Sequence, residues 1–301
     1  MVTVLLATYN SERFLHEQID SILAQKEVEV NLIARDDGSK DSTFSILKEY
    51  ESQGKLRWYS DGQNLKPARG FMKMLQDSPD DSEYFAFSDH DDVWLNDKLS
   101  AAVSALEQYD SSKPALYFCQ TKLVDADLKP FDNQIIIQPF CTLGEALINQ
   151  FIGGCTMVFN KTLRDIIVKY SPAYLPMHDV WIYLVALSLN SAIVFDPTPH
   201  ILYRQHGNNE IGQGYGLWDS LKRHYKRIVK DKEHMRQRMA QELLNGYGDM
   251  IDDKNKRLIS LVADYDKGVP FLYKALVNKD LVCHNKRTYL FSKLAFILKT
   301  M

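Results

Sequence analysis

Residues 84–94, YFAFSDHDDVW, place an aromatic-rich apolar run directly before a dense group of polar side chains. The apolar run has the composition of a buried strand. Asp89, His90, Asp91 and Asp92 then follow in consecutive positions. Such a group is typical either of a solvated turn or of a cation site. The surrounding sequence separates these two interpretations.

The chain has 301 residues, of which 45% are hydrophobic and 25% are charged. It is long enough for one large α/β domain with an appendage, or for two domains. The net charge of −3 is unevenly distributed. Residues 1–215 hold 18 basic and 29 acidic side chains, whereas residues 216–301 hold 18 basic and 10 acidic ones. This asymmetry predicts an anionic partner for the basic part.

The cysteines and the apolar segments indicate where in the cell the protein is expected. The four cysteines form no Cys-x-x-Cys pair, which disfavours a structural zinc site and favours reduced thiols. The first residues lack the basic lead of a signal peptide. The sequence contains no uninterrupted apolar stretch of about 18 residues, so a transmembrane helix is not expected. We therefore expect a cytoplasmic protein, either free or peripheral on the inner face of the cell membrane.

The first 125 residues alternate short β-branched or aromatic runs with longer segments of helical spacing. These patterns predict strands at 2–7, 28–34, 56–60, 84–88 and 115–124, and helices at 11–25, 41–53, 67–76 and 97–109. Further along, they predict a strand at 151–159, an apolar helix opening at 177–181, and a strand-rich stretch that leads into 203–209. The fold class is therefore α/β, with a mixed, mostly parallel sheet flanked by helices.

Three polar groups follow predicted strands at the point where each strand ends. They are Thr8-Tyr9-Asn10, Asp36-Asp37-Gly38-Ser39 and Asp89-His90-Asp91-Asp92. Because ligands of parallel sheets bind at the carboxyl ends of the strands, we expect the three groups to share one crevice. Each group taken alone is equally typical of a turn or a helix cap.

The Asp-x-Asp spacing of Asp89 and Asp91 indicates a particular class of ion. Carboxylate oxygens suit Mg²⁺ or Mn²⁺ better than zinc, and such ions keep open positions for phosphate oxygens. A bound ion would also neutralise charge on a departing diphosphate. The chain contains neither Gly-x-x-x-x-Gly-Lys nor Gly-x-Gly-x-x-Gly, which disfavours P-loop and dinucleotide-binding folds.

Six segments together resemble the inverting glycosyltransferases of family 2, which have the GT-A fold. The segments are VLLATYN (4–10), ARDDGSKDST (34–43), FSDHDDVW (87–94), FIGGCTMVFN (151–160), HDVW (178–181) and YRQHGNN (203–209). The last two are particularly similar to the bacterial rhamnosyltransferase-like subgroup that builds polysaccharides. The resemblance implies a GT-A catalytic domain over residues 1–212, and it leaves residues 213–301 as a basic helical C-terminal region.

The resemblance also implies a role for each matched position. The nucleotide would be held by Thr8, Tyr9, Asn10, Asp36, Asp37 and Asp89. The metal would be held mainly by Asp91, with Asp89 and His206. The acceptor or the diphosphate would meet Gly153, Gly154, Trp181 and Arg204. His90 and Asp92 are expected only to shape the turn.

Asp179 would be the general base, which takes the proton from the acceptor hydroxyl. Inversion by direct displacement needs one base on the face opposite the leaving group. A carboxylate at the start of an apolar helix is open to desolvation, which raises its pKa, while the helix dipole lowers it. The other interpretation is a plain helix cap. The preceding residue, His178, stands where the family often has an acidic side chain.

Two C-terminal segments combine apolar and basic side chains. Residues 217–232 form an amphipathic basic pattern, and residues 287–299 are similar in character. Such helices lie on anionic membrane surfaces, or they pack on the catalytic domain with solvated basic faces. A nucleic-acid partner is not expected, because no binding motif accompanies the charge.

The sequence thus predicts a metal-dependent inverting glycosyltransferase. It would move a sugar from a UDP- or dTDP-sugar to a hydroxyl of a lipid-linked saccharide in cell-surface polysaccharide synthesis, with Mn²⁺ or Mg²⁺ as cofactor. A nucleotidyltransferase is one alternative, but residues 8–11 are not the triphosphate loop that this class needs. A non-catalytic assembly protein that binds nucleotide sugars is the other, and Asp179 together with Asp91 argues against it.

Overall fold

A computed structural model describes residues 1–134, 136–149, 152–205 and 234–301. Within these ranges the chain forms eight strands and eleven α-helices. The strands are β1 Val2–Thr8, β2 Val30–Asp36, β3 Arg57–Tyr59, β4 Tyr84–Ser88, β5 Val93–Trp94, β6 Ala115–Val124, β7 Met157–Asn160 and β8 Ala192–Arg204. The helices are α1 Leu15–Leu23, α2 Thr43–Ser52, α3 Lys66–Asp77, α4 Lys98–Leu106, α5 Leu143–Ile148, α6 Lys161–Ile167, α7 His178–Ser188, α8 Met235–Tyr247, α9 Asp253–Ala263, α10 Val269–Val277 and α11 Lys286–Ile297.

The eight strands form one sheet in the order β3-β2-β1-β4-β7-β6-β8-β5. β1 runs parallel to both β2 and β4, β2 is parallel to β3, and β6 is parallel to β8. β7 is antiparallel to β4 and β6, and β5 is antiparallel to β8. The predicted mixed, mostly parallel sheet flanked by helices is confirmed.

Both faces of the sheet are covered, and β1 shows why its sequence is almost continuously apolar. Val4 and Leu6 belong to an apolar cluster with Leu15 and Ile19 of α1. Leu5 belongs to a second cluster, which includes aromatic side chains of β4 and β6. Successive side chains of a strand point to opposite faces, so a strand buried on both sides must be apolar throughout.

The strand predicted at 151–159 is wrong in its first half. Gly154–Thr156 form a short 3₁₀ turn, and strand β7 begins only at Met157. The Thr156 backbone N–H donates to Gly153 O at 3.0 Å, and its hydroxyl donates to the same oxygen at 2.7 Å. These two bonds close the turn and keep the paired glycines out of the sheet. We call residues 153–156 the glycine turn.

The C-terminal helices pack against helices that cover the sheet. Met239, Leu243 and Tyr247 of α8 join the same buried cluster as Leu147 of α5 and Trp181 of α7. None of the helices in the described ranges is both long and apolar enough to cross a membrane. The predicted boundary at 212/213 falls among residues outside the described ranges, so the division into two regions remains a prediction.

Gly144 provides a test of how closely the C-terminal region is joined to the rest. A Cβ on Gly144 of α5 would stand 1.9 Å from the backbone oxygen of Asp280. Because a backbone atom cannot move aside cheaply, we expect Gly144→Ala to lower the free energy of unfolding by about 1–3 kcal/mol. Urea denaturation measures the change.

Gly70→Ala is the matched control, because Gly70 is also helical. A Cβ there would meet Arg35 Nη1 at 3.4 Å, which is ordinary contact. The gain in helix propensity, up to about 1 kcal/mol, should offset any strain. Equal stabilities of the two variants would contradict the close packing of α5 against the segment around Asp280.

Candidate active site

The ends of β1 and β2 are joined by a buried carboxylate. Thr8 and Asp36 lie opposite each other in the parallel register. The Asp36 carboxylate accepts from the Thr8 hydroxyl at 2.8 Å, from the Ser39 hydroxyl at 2.6 Å, and from the backbone N–H groups of Gly38 and Ser39 at 2.9 and 2.7 Å. Asp36 is fully buried. With four donors it holds the loop after β2, and it supports a ligand only indirectly.

Asn10 connects the first predicted polar group to the second. Its backbone N–H donates to the Ser39 hydroxyl at 2.8 Å, and its side-chain oxygen accepts from the Lys40 backbone N–H at 2.9 Å. Its φ of +50° is left-handed, a conformation that asparagine adopts more readily than most residues. The neighbouring Tyr9 side chain is exposed. The structure therefore brings these two polar groups together at one edge of the sheet.

Asp37 lies in an ion pair and is not simply open to a ligand. Its carboxylate pairs with the buried Arg35, and it also accepts from the Lys66 backbone N–H at 2.7 Å. Arg35 reaches Asp61 as well, at 2.8 Å. Asp37 thus ties the loop after β2 to the start of α3. Any contact with the base of a nucleotide would use the part of its carboxylate that stays exposed.

The third polar group follows β4, which neighbours β1 in the sheet. Asp89 and Asp91 are half-buried, whereas Asp92 is fully buried. Burial raises the pKa of Asp92 well above its ordinary value, and the nearby charges of Asp91 and Asp89 raise it further. Asp92 was expected only to shape the turn, but its carboxylate also accepts from the Arg204 backbone N–H at 3.1 Å.

Arg204 joins residues 89–92, which we call the acidic loop, to two other parts of the chain. Its Nε donates to Asp91 O at 2.8 Å, and its guanidinium bonds the Glu17 carboxylate and the Ala126 carbonyl. The same group lies 4.3 Å from the centroid of the Phe14 ring. Only 1% of the residue is exposed. The Arg204 side chain is therefore buried and holds the loop in place, and its predicted contact with the acceptor or the diphosphate remains a prediction.

Asp179 lies at the start of α7, beside the glycine turn. One oxygen of its carboxylate accepts from the Gly154 backbone N–H at 3.1 Å, and the other accepts from the Val180 N–H at 2.7 Å. Burial raises the pKa of Asp179 to about 6, although these hydrogen bonds oppose the shift. A carboxylate with this pKa is largely ionised at neutral pH, yet it can accept a proton readily.

The glycine turn contacts the predicted base and also approaches the acidic loop. Gly154 binds Asp179, as described above. Cys155 Sγ and carboxylate oxygens of Asp89 and Asp92 all lie within 4.8 Å of one another. Adjacent residues of the turn, Gly154 and Cys155, therefore lie against the predicted base and the acidic loop. The sequence reasoning missed Cys155, for which the only signal was its position directly after the paired glycines.

His178 explains why position 154 is glycine. A Cβ there would stand 2.4 Å from His178 Nε2. The imidazole packs against Phe71 and Phe87, with ring centroids 4.2 and 4.9 Å apart. Burial lowers the pKa of His178 to about 3, so the ring is neutral. His178 thus fills the space behind the turn as an aromatic group.

Trp181 lies in the buried core. Its side chain is fully buried, with Tyr170 and Tyr247 as ring neighbours at 6.3 and 6.0 Å. Trp181 thus packs between α7 and α8, and its predicted contact with the acceptor or the diphosphate remains a prediction. The predicted metal ligand His206 and the predicted basic helix at 217–232 lie outside the described residues.

The chain is similar in sequence to proteins that transfer sugars. The dTDP-rhamnosyl transferase RfbG of Shigella flexneri is 29% identical over 244 residues, which cover 74% of this chain and 78% of that protein. The UDP-Glc:alpha-D-GlcNAc-diphosphoundecaprenol beta-1,3-glucosyltransferase WfgD of Escherichia coli is 24% identical over 197 residues, which cover 64% of this chain and 71% of that protein.

Solved structures agree with the GT-A fold. TarS residues 1–349 of S. aureus in complex with UDP-GlcNAc has a TM-score of 0.62 at 16% identity, covering 100% of this chain and 81% of that chain. The mannosyltransferase PcManGT of Pyrobaculum calidifontis, in complex with GDP-Man and Mn²⁺, has a TM-score of 0.56 at 16% identity, covering 99% and 85%. At these identities the likeness shows the fold alone.

A family profile matches a segment that contains the first three polar groups and the glycine turn. The matched residues are 3–166, more than half of the chain, and the family is described as glycosyl transferase family 2. Together with the sheet order and the sequence relatives, this match identifies the chain as a member of glycosyl transferase family 2.

Proposed function

We propose that the protein transfers a sugar, with inversion, from a UDP- or dTDP-sugar to a hydroxyl of a lipid-linked saccharide during polysaccharide synthesis. The observation that carries the proposal is the glycine turn, which contacts Asp179 through Gly154 and approaches Asp89 through Cys155. Displacement needs a base for the acceptor and a seat for the leaving diphosphate. The candidates for both, Asp179 and Asp89, lie beside this one short turn.

Relatives support the donor and acceptor classes without choosing between them. RfbG is named for dTDP-rhamnosyl transfer, and WfgD for transfer from UDP-Glc to a diphosphoundecaprenol-linked sugar. We therefore keep UDP- and dTDP-sugars as donors and a lipid-linked saccharide as acceptor. A panel of UDP-glucose, UDP-galactose and dTDP-rhamnose, scored by donor hydrolysis, distinguishes them. Hydrolysis of none of these donors would count against the donor class.

The nucleotide half of the site would be built on the ends of β1 and β2. Thr8, Tyr9 and Asn10 present backbone and side-chain groups there, and Tyr9 is exposed. Asp37 lies on the next loop and is partly open. We propose that these residues contact the base and the ribose of the nucleotide. Asp36 would support them indirectly, because it accepts four hydrogen bonds from Thr8 and from the loop after β2.

A divalent cation, Mn²⁺ or Mg²⁺, fits the donor set around Asp89 and Asp91. Both carboxylates are half-buried, so they can meet a ligand, and hard oxygen ligands suit these ions. The Cys155 thiol is a poorer ligand for such an ion, because burial raises its pKa well above the ordinary value. When bound, the ion would neutralise charge on the diphosphate. A Mn²⁺ complex of PcManGT supports this choice.

Asp179 would act on the acceptor. Its carboxylate would take the proton of the attacking hydroxyl while the acceptor oxygen bonds to the anomeric carbon and the bond from that carbon to the diphosphate breaks. Gly154 N–H would orient one carboxylate oxygen for this step. The apolar setting of α7 keeps Asp179 4% exposed, which is the cause of its raised pKa.

The proposal extends to organisation and location. Residues 1–212 would form the catalytic domain, and residues 213–301 would form a basic helical region. The chain would work in the cytoplasm, at the inner face of the cell membrane, where it would meet a lipid-linked acceptor. Membership of the glycosyl transferase family disfavours a nucleotidyltransferase.

Asp179→Asn tests the base. The amide cannot take a proton, so we expect kcat to fall by about 10²- to 10⁴-fold while the affinity for UDP stays within a few-fold. For the unsubstituted protein, kcat/KM should fall as the pH drops through about 6, because protonated Asp179 is inactive. Transfer by the variant at the original rate would place the base elsewhere, whereas absence of transfer by the unsubstituted chain would favour the non-catalytic alternative.

Gly154→Ala tests the turn that positions the base. The new methyl group would collide with His178 Nε2, and relief of the collision would displace the N–H donor of Asp179. We expect kcat to fall about tenfold or more, with UDP binding retained. The double variant Gly154→Ala/His178→Ala should recover part of the loss, because the imidazole is then absent.

Gly153→Ala is the steric control for this turn. A Cβ at position 153 would meet only Cys155 Sγ, at 3.9 Å, so we expect an unchanged midpoint of thermal unfolding. If Gly154→Ala left kcat unchanged, the hydrogen bond between the turn and Asp179 would have no role in transfer.

Asp91→Ala tests the cation site separately from the base. We expect the affinity for UDP or dTDP in the presence of Mn²⁺ to fall about 100-fold, or about 2.8 kcal/mol, by isothermal titration calorimetry. Asp110→Ala is the control, because Asp110 precedes β6 at the opposite edge of the sheet and is exposed to solvent. Unchanged Mn²⁺-dependent binding by the Asp91 variant would refute this site.

A further inference from the structure

The last two helices carry apolar side chains that face solvent. On α10 these are Val269, Tyr273 and Val277, which are 80%, 64% and 53% exposed. On α11 they are Leu290, Leu294 and Ile297, which are 71%, 41% and 55% exposed. We call these six side chains the C-terminal apolar face. The two helices contact each other, so their exposed side chains belong to one region of the surface.

The spacing of these residues makes each set a stripe along its helix. Successive members are three or four residues apart, which places them on one side of a helix. The inward sides are occupied by other residues: Ala275 on α10, and Ala295 and Phe296 on α11, are buried. Each helix therefore has one apolar side for the core and a second one that the rest of the described chain leaves uncovered.

Basic side chains accompany this face. Residues 267–301 contain seven lysines and arginines and a single acidic residue, Asp280. Six of the seven are exposed: Lys267, Lys274, Lys279, Lys286, Arg287 and Lys299. The seventh, Lys293, donates to Leu276 O at 2.7 Å and so joins α11 to the end of α10. Lys267 pairs with Asp264 at 2.8 Å, and the stretch that carries the apolar face has a net charge of +6.

We propose that the C-terminal apolar face lies on an anionic lipid bilayer. An interfacial helix needs an apolar side that enters the acyl region and basic groups that meet lipid phosphates. Lysine and arginine stems can extend past the apolar residues and keep their charge at the headgroup level. α10 and α11 have 9 and 12 residues, which suits helices that lie along a membrane surface.

Charge disfavours a second copy of the chain as the occupant. A symmetric dimer through this face would oppose two surfaces, each with a net charge of +6 over residues 267–301. Like charges held together in this way repel each other, and pairing the apolar stripes would bring them close. A bilayer with anionic lipid satisfies the apolar and the basic groups at once.

This inference sharpens the membrane prediction made from sequence. α11 covers most of the basic segment predicted at 287–299, and α10 adds an apolar stripe that the basic sequence pattern did not predict. The other predicted segment, 217–232, lies outside the described residues. The surface does not depend on the proposed chemistry, so its test can fail while the proposed function stands.

Vesicle flotation with the full chain tests the proposal. We expect the protein to float with vesicles of phosphatidylcholine and phosphatidylglycerol at low salt, and to stay unbound with phosphatidylcholine alone. Lys286→Gln/Arg287→Gln should weaken binding about tenfold or more, since each charge near an anionic surface contributes to attraction. Leu290→Ser/Leu294→Ser should weaken it to a similar degree, because these side chains would enter the bilayer.

Matched controls separate the face from general charge and hydrophobicity. Lys48→Gln/Lys113→Gln removes two exposed charges elsewhere, and Ile136→Ser removes an exposed apolar side chain elsewhere. Both should bind vesicles as the unsubstituted chain does. Donor hydrolysis should be unchanged in every variant, so a failed catalytic proposal would be recognised separately.

Three outcomes would overturn the proposal. The first is no binding of the unsubstituted chain to anionic vesicles. The second is binding that the face variants leave intact but Arg223→Gln/Lys226→Gln abolishes, which would assign it to residues 217–232. The third is a dimer in light scattering that Leu290→Ser/Leu294→Ser dissociates while vesicle binding is unaffected, which would assign the face to a second copy.

Discussion

Carboxylates that the fold removes from water must receive hydrogen bonds, and this constraint organises one edge of the sheet. Asp36 receives four donors from its own loop and from β1. Asp92 accepts from Arg204, which lies far along the chain. Asp179 accepts from Gly154, on a turn between two other elements. These hydrogen bonds tie distant segments that carry the family motifs to one another, in addition to the apolar packing of the sheet.

The same constraint divides the motifs into supporting and exposed members. Asp36, Asp92 and Arg204 are buried and occupied by contacts within the chain. Asp89 and Asp91 are half-buried, which leaves them able to meet a ligand. A pattern of acidic residues therefore contains two kinds of position. One kind fixes the geometry of the edge, and the other, as we propose for Asp89 and Asp91, would meet what binds there.

The C-terminal helices are also divided by burial. α8 packs against Trp181 of α7 and so extends the apolar core that α7 forms with the sheet. α10 and α11 contribute to that core with one side and present apolar and basic groups with the other. The region thus joins the sheet to a second surface, and a lipid-linked acceptor would connect the two in function.

The sequence by itself determined the α/β class, most strand and helix positions, and the segments that carry the family resemblance. These features are local, because periodicity and strand-end chemistry are written in short windows. Tertiary structure decided which acids are buried, that Cys155 approaches Asp89, that Arg204 holds the acidic loop, and that Trp181 faces α8. Those outcomes depend on contacts between residues far apart in the chain. A residue's type limits what it can do, but its burial and its partners select what it does.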